Sequence, residues 1–214
     1  MSELISYYDE RPIEVGGAVE ILQAPKASAS GLQSVEGVIR PGLVYVSVPQ
    51  PTGPFLVPFG AYDEWSLRDR YSEAMRIMNT LGASEISIEA FREVSMKRGI
   101  RAKVLPFGRG GMKKERLEDS SFDFHHIGAG SPPRDPRPLS WPHEPGFAAA
   151  VASVLENKST SVSIKITSHG SHAIDGSLGI QLKAVGFHLG GGVQHTGATS
   201  LEIRASFPQK KGIW

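Results

Sequence analysis

GIQLKAVGFHLGGGVQHTGATSLEIRASF, residues 179–207, is the stretch on which the reading of the chain turns. Ile180, Leu182 and Ala184 alternate with Gln181 and Lys183. Leu201, Ile203, Ala205 and Phe207 alternate with Glu202, Arg204 and Ser206, and Gly190, Gly191 and Gly192 stand between the two runs. A period of two sends successive side chains to opposite faces of a strand. Glycine accepts the positive φ of a tight turn. The stretch therefore predicts two long strands meeting at a glycine turn. In that register His188 shares the parity of Ile180, Leu182 and Ala184, which places it in the core unless Gly186 breaks the alternation.

A weaker copy lies earlier, in GIRAKVLPFGRGGMKKERLEDSSFDF, residues 99–124. Gly99-Ile100 matches Gly179-Ile180, Phe107 matches Phe187, and Gly110-Gly111 matches Gly190-Gly191. Upstream, Ile86-Ser87-Ile88 resembles Val162-Ser163-Ile164, and a helical pattern precedes each copy. Internal repeats constrain a fold strongly. The fold class expected is α+β: an antiparallel sheet with two helices on one face. It is built from two similar helix–strand–hairpin halves after an N-terminal β segment. The expected boundaries are a single domain with a β segment over 1–60, a first half over 61–128 and a Pro-rich connector over 129–144. A second half follows over 145–208, and a basic tail over 209–214.

In the first helix Leu67, Tyr71, Ala74, Met75 and Met78 recur at helical spacing, with Asp63 as N-cap and Gly82 as the stop. Arg68, Arg70, Glu73 and Arg76 read as lying mostly off that face. In the second, Pro145 opens the helix, and Phe147, Val151, Val154 and Leu155 form the stripe. Between them, AGSPPRDPRPLSWPHEPG (129–146) is too rich in proline for helix or ladder and reads as a stiff connector anchored by Trp141. Earlier, Leu43–Val48 is a buried strand that the prolines of 49–54 are expected to end. Lys26–Gln33 reads as a flexible loop.

The 214 residues suffice for a real core, and 40% hydrophobic with 21% charged residues is ordinary globular composition. A formal net charge of +1 gives no global electrostatic case for nucleic acid. Without cysteine the chain has no disulfides, no thiol catalysis and no Cys-ligated zinc. No basic leader with an apolar core and no run of 18 apolar residues is present, so the expected location is cytoplasmic.

Candidate chemistry is sparse. His169, His172 and Asp175 recur every three residues in SHGSHAIDG and are the candidate metal ligands, but the run reads as loop, where that spacing fixes no geometry. There is no G-x-S-x-G elbow, no HExxH and no phosphate loop, so no catalytic set and no cofactor is expected. Arg109, Lys113, Lys114 and Arg116 form a basic hairpin tip suited to an anionic lipid or phosphate.

HGSHAIDGSLG (169–179) resembles, in Gly170-Ser171-His172, the first part of the G-[TS]-H…GG signature of membrane-attack/perforin proteins; its later glycines fall at a different distance. The helix-flanked amphipathic strands are similar to the gasdermin plan. Such resemblance implies segments beside a central sheet that unfurl into hairpins of a β-barrel pore. Three functions follow as expectations. The first is a non-enzymatic interaction or regulatory module that self-associates or joins a larger assembly. The second is a membrane-active effector inserting its glycine-tipped hairpins into anionic membranes. The third is a histidine-dependent hydrolase or metal enzyme.

Overall fold

The structure, a computed structural model, describes residues 3–14, 21–50, 53–94, 113–116, 122–167, 184, 186–190 and 200–208. The chain is α+β, and its described residues form two long helices and two five-stranded sheets. It divides into two compact units: Met1–Ser66 with His169–Gln194, and Leu67–Ser168 with His195–Trp214.

The first unit holds β1 (Glu3–Tyr8), β2 (Leu22–Pro25), β3 (Gln33–Ser34), β4 (Val44–Gln50) and β5 (Gly53–Pro58), in the sheet order β2-β1-β4-β5-β3. The pairs β1–β2 and β3–β5 are parallel, while β1–β4 and β4–β5 are antiparallel. Tyr7, Leu43, Tyr45 and Leu56 are buried together, while Val46, Val57 and Tyr62 form another cluster. β4 ends inside the run 49–54, as expected, but not at its first proline. β4 takes in Pro49 and stops at Gln50, and β5 takes in Pro54, so Pro49 and Pro54 face each other within the ladder. Two prolines can face each other only where neither strand asks the other for an amide, as in a non-hydrogen-bonded pair. Lys26–Ala29 is a 3-10 turn with Ala29 buried, where the sequence predicted a flexible loop.

The second unit begins within α1 (Tyr62–Thr80) and continues with β6 (Glu85–Val94), β7 (Lys113–Arg116), β8 (Phe124–Ile127), α2 (Pro145–Leu155), β9 (Ser161–Thr167) and β10 (Ser200–Ser206). Its sheet is antiparallel, ordered β7-β6-β10-β9, with β8 on the same edge of β6 as β7. The inward rows are Ile86–Ala205–Val162, Ile88–Ile203–Ile164 and Ala90–Leu201–Ile166. They pack against Leu67, Ala74, Ile77 and Met78 of α1 and Phe147, Ala150, Val151 and Val154 of α2. Burying each large aliphatic side chain contributes about 1.5–3 kcal/mol. α2 lies close on β9, since a Cβ at Gly146 would come within 2.7 Å of Ile164 Cγ2.

α1 starts one residue before the expected cap. It stops at Gly82, whose φ of +82° suits an αL cap. Pro145 opens α2 as the sequence predicted. The order helix then strand occurs twice, α1–β6 and α2–β9, but much of the residue-by-residue match between the halves falls on 99–112, 117–121, 179–183 and 191–199, outside the described residues.

One pairing differs from the sequence reading. β10 was expected to pair with residues 180–188, yet β6 and β9 occupy both its edges over all seven residues. Alternation reports which face of a strand is covered and is silent on which strand lies beside it.

Candidate functional site

The site begins with where the second sheet's strands stop. Thr167 at the end of β9, Ser200 at the start of β10, Phe91 in β6 and Arg116 in β7 share one cross-strand row. Beyond it β6 and β7 continue as a pair to Val94 and Lys113. Two long connections therefore leave and re-enter the sheet at the same end: residues 95–112 close the antiparallel pair β6–β7, and residues 168–199 close β9–β10. The same end of one sheet thus receives four chain ends from two returns.

The face opposite the helices is polar and carries both signs. Glu89 and Glu202 stand directly opposite each other on β6 and β10. Like charges so placed repel, and cations surround them. Arg116 Nη1 lies 3.1 Å from Glu89, Arg204 lies 3.2 Å from Glu202 and 3.9 Å from Glu89, and Lys165 pairs across from Glu202. His125 Nε2 sits 3.3 Å from Glu85. The arginines are solvated while Glu89 and Glu202 are partly buried, and each such surface pair is worth little singly. Among the described residues these groups make a mosaic of both signs.

On the helical side, a polar strap crosses α1. Arg70 is almost wholly buried and donates to Glu144 at 3.2 Å, with its guanidinium 5.3 Å from the centre of the Trp141 ring. Trp141 Nε1–H donates to Asp69 at 2.7 Å, and the Ser140 amide donates to Glu73 at 2.8 Å. Arg76 holds Glu73 through two hydrogen bonds and donates to the carbonyls of Pro136 and Pro138. Burial pushes the Glu73 carboxyl up, but hydrogen bonds from Arg76 and Ser140, with the Arg76 charge, together hold it below its ordinary value. The Pro-rich connector has neither helix nor ladder, as predicted, and Trp141 anchors it. It is nonetheless bonded to α1 along much of its length. Sequence reasoning placed Arg70 and Glu73 mostly off the buried face. The available signal was Arg70's position three residues after Leu67 and four before Ala74.

Of the predicted site residues, Arg109, His169, His172 and Asp175 lie outside the described residues. Lys113 and Lys114 are in β7, paired through the backbone with Val94 and Glu93. Arg116 is exposed on the open face, paired to Glu89. Among the described residues no cluster of three His, Asp or Glu is arranged to hold a metal, and no helix is long and apolar enough to cross a membrane. His188 is not a core residue. Gly186 takes φ +94°, Phe187 is buried beside Val44, and His188 faces solvent.

Comparison of the chain with family models, with curated proteins and with solved structures finds no match.

Proposed function

We propose that this chain is a membrane-active protein whose two returns, 95–112 and 168–199, refold as hairpins that extend the second sheet into an anionic bilayer. The observation that carries this reading is the exit of both returns from one end of a four-stranded antiparallel order, each closing an antiparallel pair. Continuing the existing strands lengthens the sheet without any change of partner. A membrane-crossing strand needs about 9–11 residues. The 18 residues of 95–112 allow about nine per arm, and the 32 residues of 168–199 about sixteen.

The composition of the returns supports the same reading. Residues 95–112 carry Lys97, Arg98, Arg101, Lys103 and Arg109 and no acid. Each basic residue near an anionic surface contributes about 1 kcal/mol. Residues 168–199 carry only Asp175 and Lys183 as charged groups, histidines aside. Ile100, Ala102 and Val104 alternate with Arg101 and Lys103, and Ile180, Leu182 and Ala184 with Gln181 and Lys183. One face suits lipid and the other a wet lumen.

Dye release from phosphatidylserine vesicles, with intact and with proteolytically nicked protein, tests the proposal. Leakage from anionic vesicles and much less from neutral phosphatidylcholine vesicles is expected. Silence in both arms with both lipids overturns it.

A second reading, self-association, is favoured by β9. This strand ends its sheet, pairs only with β10 among the described residues, and presents Ser161, Ser163 and Lys165 to solvent. An edge of this kind can add another strand. The two readings are compatible, because one chain's four strands are too few to close a barrel.

A further inference from the structure

We infer that residues 186–190 form a releasable latch, which holds the middle of the second return on the sheet of the first unit and must let go before that return can extend. The inference rests on the membrane reading above and adds the control point to it.

Among the described residues the grip is specific and small. Leu43 and His188 form a one-residue parallel bridge at the start of β4. The Val44 amide donates to the His188 carbonyl, the His188 amide to Gly42 and the Gly60 amide to Leu189, each at 2.8 Å. Phe187, 3% exposed, packs with Val44, Leu4, Ile13, Ile21, Phe59 and Leu189. Apart from this ring and Leu189, the hold is made by main chain. Among the described residues the hold is three hydrogen bonds and one buried ring, which suits a contact that opens locally while the sheet beneath it persists.

Fit at the latch depends on missing side chains. A Cβ at Gly60 would collide with the carbonyl oxygen of Gly190. Gly190 itself takes φ +68°, and a Cβ there would lie 2.9 Å from Pro58 Cβ. Gly60 has no positive φ, so alanine suits its own backbone and strains only the contact. The same five residues lie between β9 and β10, the strands that the return would extend. While they are bonded at Gly42, Val44 and Gly60, they cannot pair as a continuation of those strands.

Two variants test the latch by different readouts. In Gly60→Ala, amide hydrogen exchange at Val44 and His188 should rise at least tenfold, with Val46 and Val57 unchanged as proof that the sheet is intact. Vesicle leakage should quicken in parallel. In Leu43→Cys/His188→Cys the two thiols are the only ones in the chain. The oxidised protein should be silent on phosphatidylserine vesicles and regain leakage on reduction. Unchanged exchange at Val44 and His188 in Gly60→Ala, or equal leakage from the oxidised and reduced pair, overturns the latch. Raised exchange with no leakage from any protein supports the latch and overturns the membrane reading.

Discussion

Arg70 and Glu144 meet at 3.2 Å inside the second unit, 74 residues apart in sequence, with their side chains 1% and 14% exposed. The pair fixes the end of the Pro-rich strap against α1 one residue before α2 begins. Removing one partner of a buried pair leaves the other charge in a medium that solvates it poorly. Glu144→Gln should therefore cost about 3 kcal/mol of stability. The double variant Arg70→Met/Glu144→Gln should recover part of that loss. Urea denaturation of the two single and the double variants gives the coupling directly, and strict additivity would contradict the arrangement.

Glu73 makes stability depend on pH in a defined direction. Its carboxyl is held below its ordinary value in the folded protein. The unfolded chain then binds a proton more readily than the folded one, so this contribution is complete above the unfolded value, about 4.5. It is lost as pH falls through the folded value. Glu73→Gln should flatten the acid limb of a melting-temperature profile between pH 6 and 3, while its loss of stability at pH 7 remains. A limb as steep as that of the parent chain would assign the acid sensitivity to other carboxylates.

The strap should resist proteases despite its composition. Ser131 and Arg134 donate backbone amides to the carbonyls of Gly82 and Thr80, and Arg76 grips two proline carbonyls. A protease needs a locally unfolded segment. Cleavage within 129–146 should be slow in the parent chain and faster in Arg76→Ala. Immediate cleavage there in the parent chain would contradict the bonded strap.

Gly82 is predicted to be intolerant of any side chain. Its φ is +82°, and a Cβ would run into the carbonyl oxygen of Ser131. The left-handed backbone alone costs an alanine about 1 kcal/mol, and the clash adds to it. Gly82→Ala should lower the melting temperature by several degrees, whereas at Gly37, also left-handed but in open space, the loss should be smaller.

Position 163 reports on self-association. If β9 pairs antiparallel with β9 of a second copy centred on Ile164, Ser163 falls opposite Lys165 of the other chain. Ser163→Glu then adds a cross-strand ion pair and Ser163→Lys a repulsion, each worth about 0.2–1 kcal/mol per contact. Sedimentation should show tighter association for the first variant and weaker for the second. Identical behaviour of both would exclude this edge in this register.

Much of the second unit was legible because its residues follow one rule each. Met78 and Ala74 recur at helical spacing, Ile86 and Ile88 alternate, and Pro145 stands at a helix start. What was not legible depends on neighbours distant in sequence. Nothing local to Arg70 announces Glu144, so a charged residue within an apolar stripe was assigned outward by type. Nothing in the alternation of 201–207 tells whether 180–188 or 85–91 lies beside it. Pro49 and Pro54 were read singly, while their tolerance comes from facing each other. Parity with Ile180 puts His188 in the core, yet it is Phe187 that is buried and His188 that faces solvent. The candidate ligands His169, His172 and Asp175 had no such test, since they fall outside the described residues.

The position of β10 has a consequence for the order in which the protein is made. β6 and β9 do not pair with each other; the strand between them is the last of the sheet to be synthesised. A growing chain carries a gap one strand wide, with Ile86, Ile88, Ile164 and Ile166 lacking their central neighbours, until residue 206 is available. Contacts at such sequence separation form slowly. The second unit therefore completes its sheet only after the ribosome has made all of residues 168–199, and β10 acts as the keystone of a fold that cannot close early.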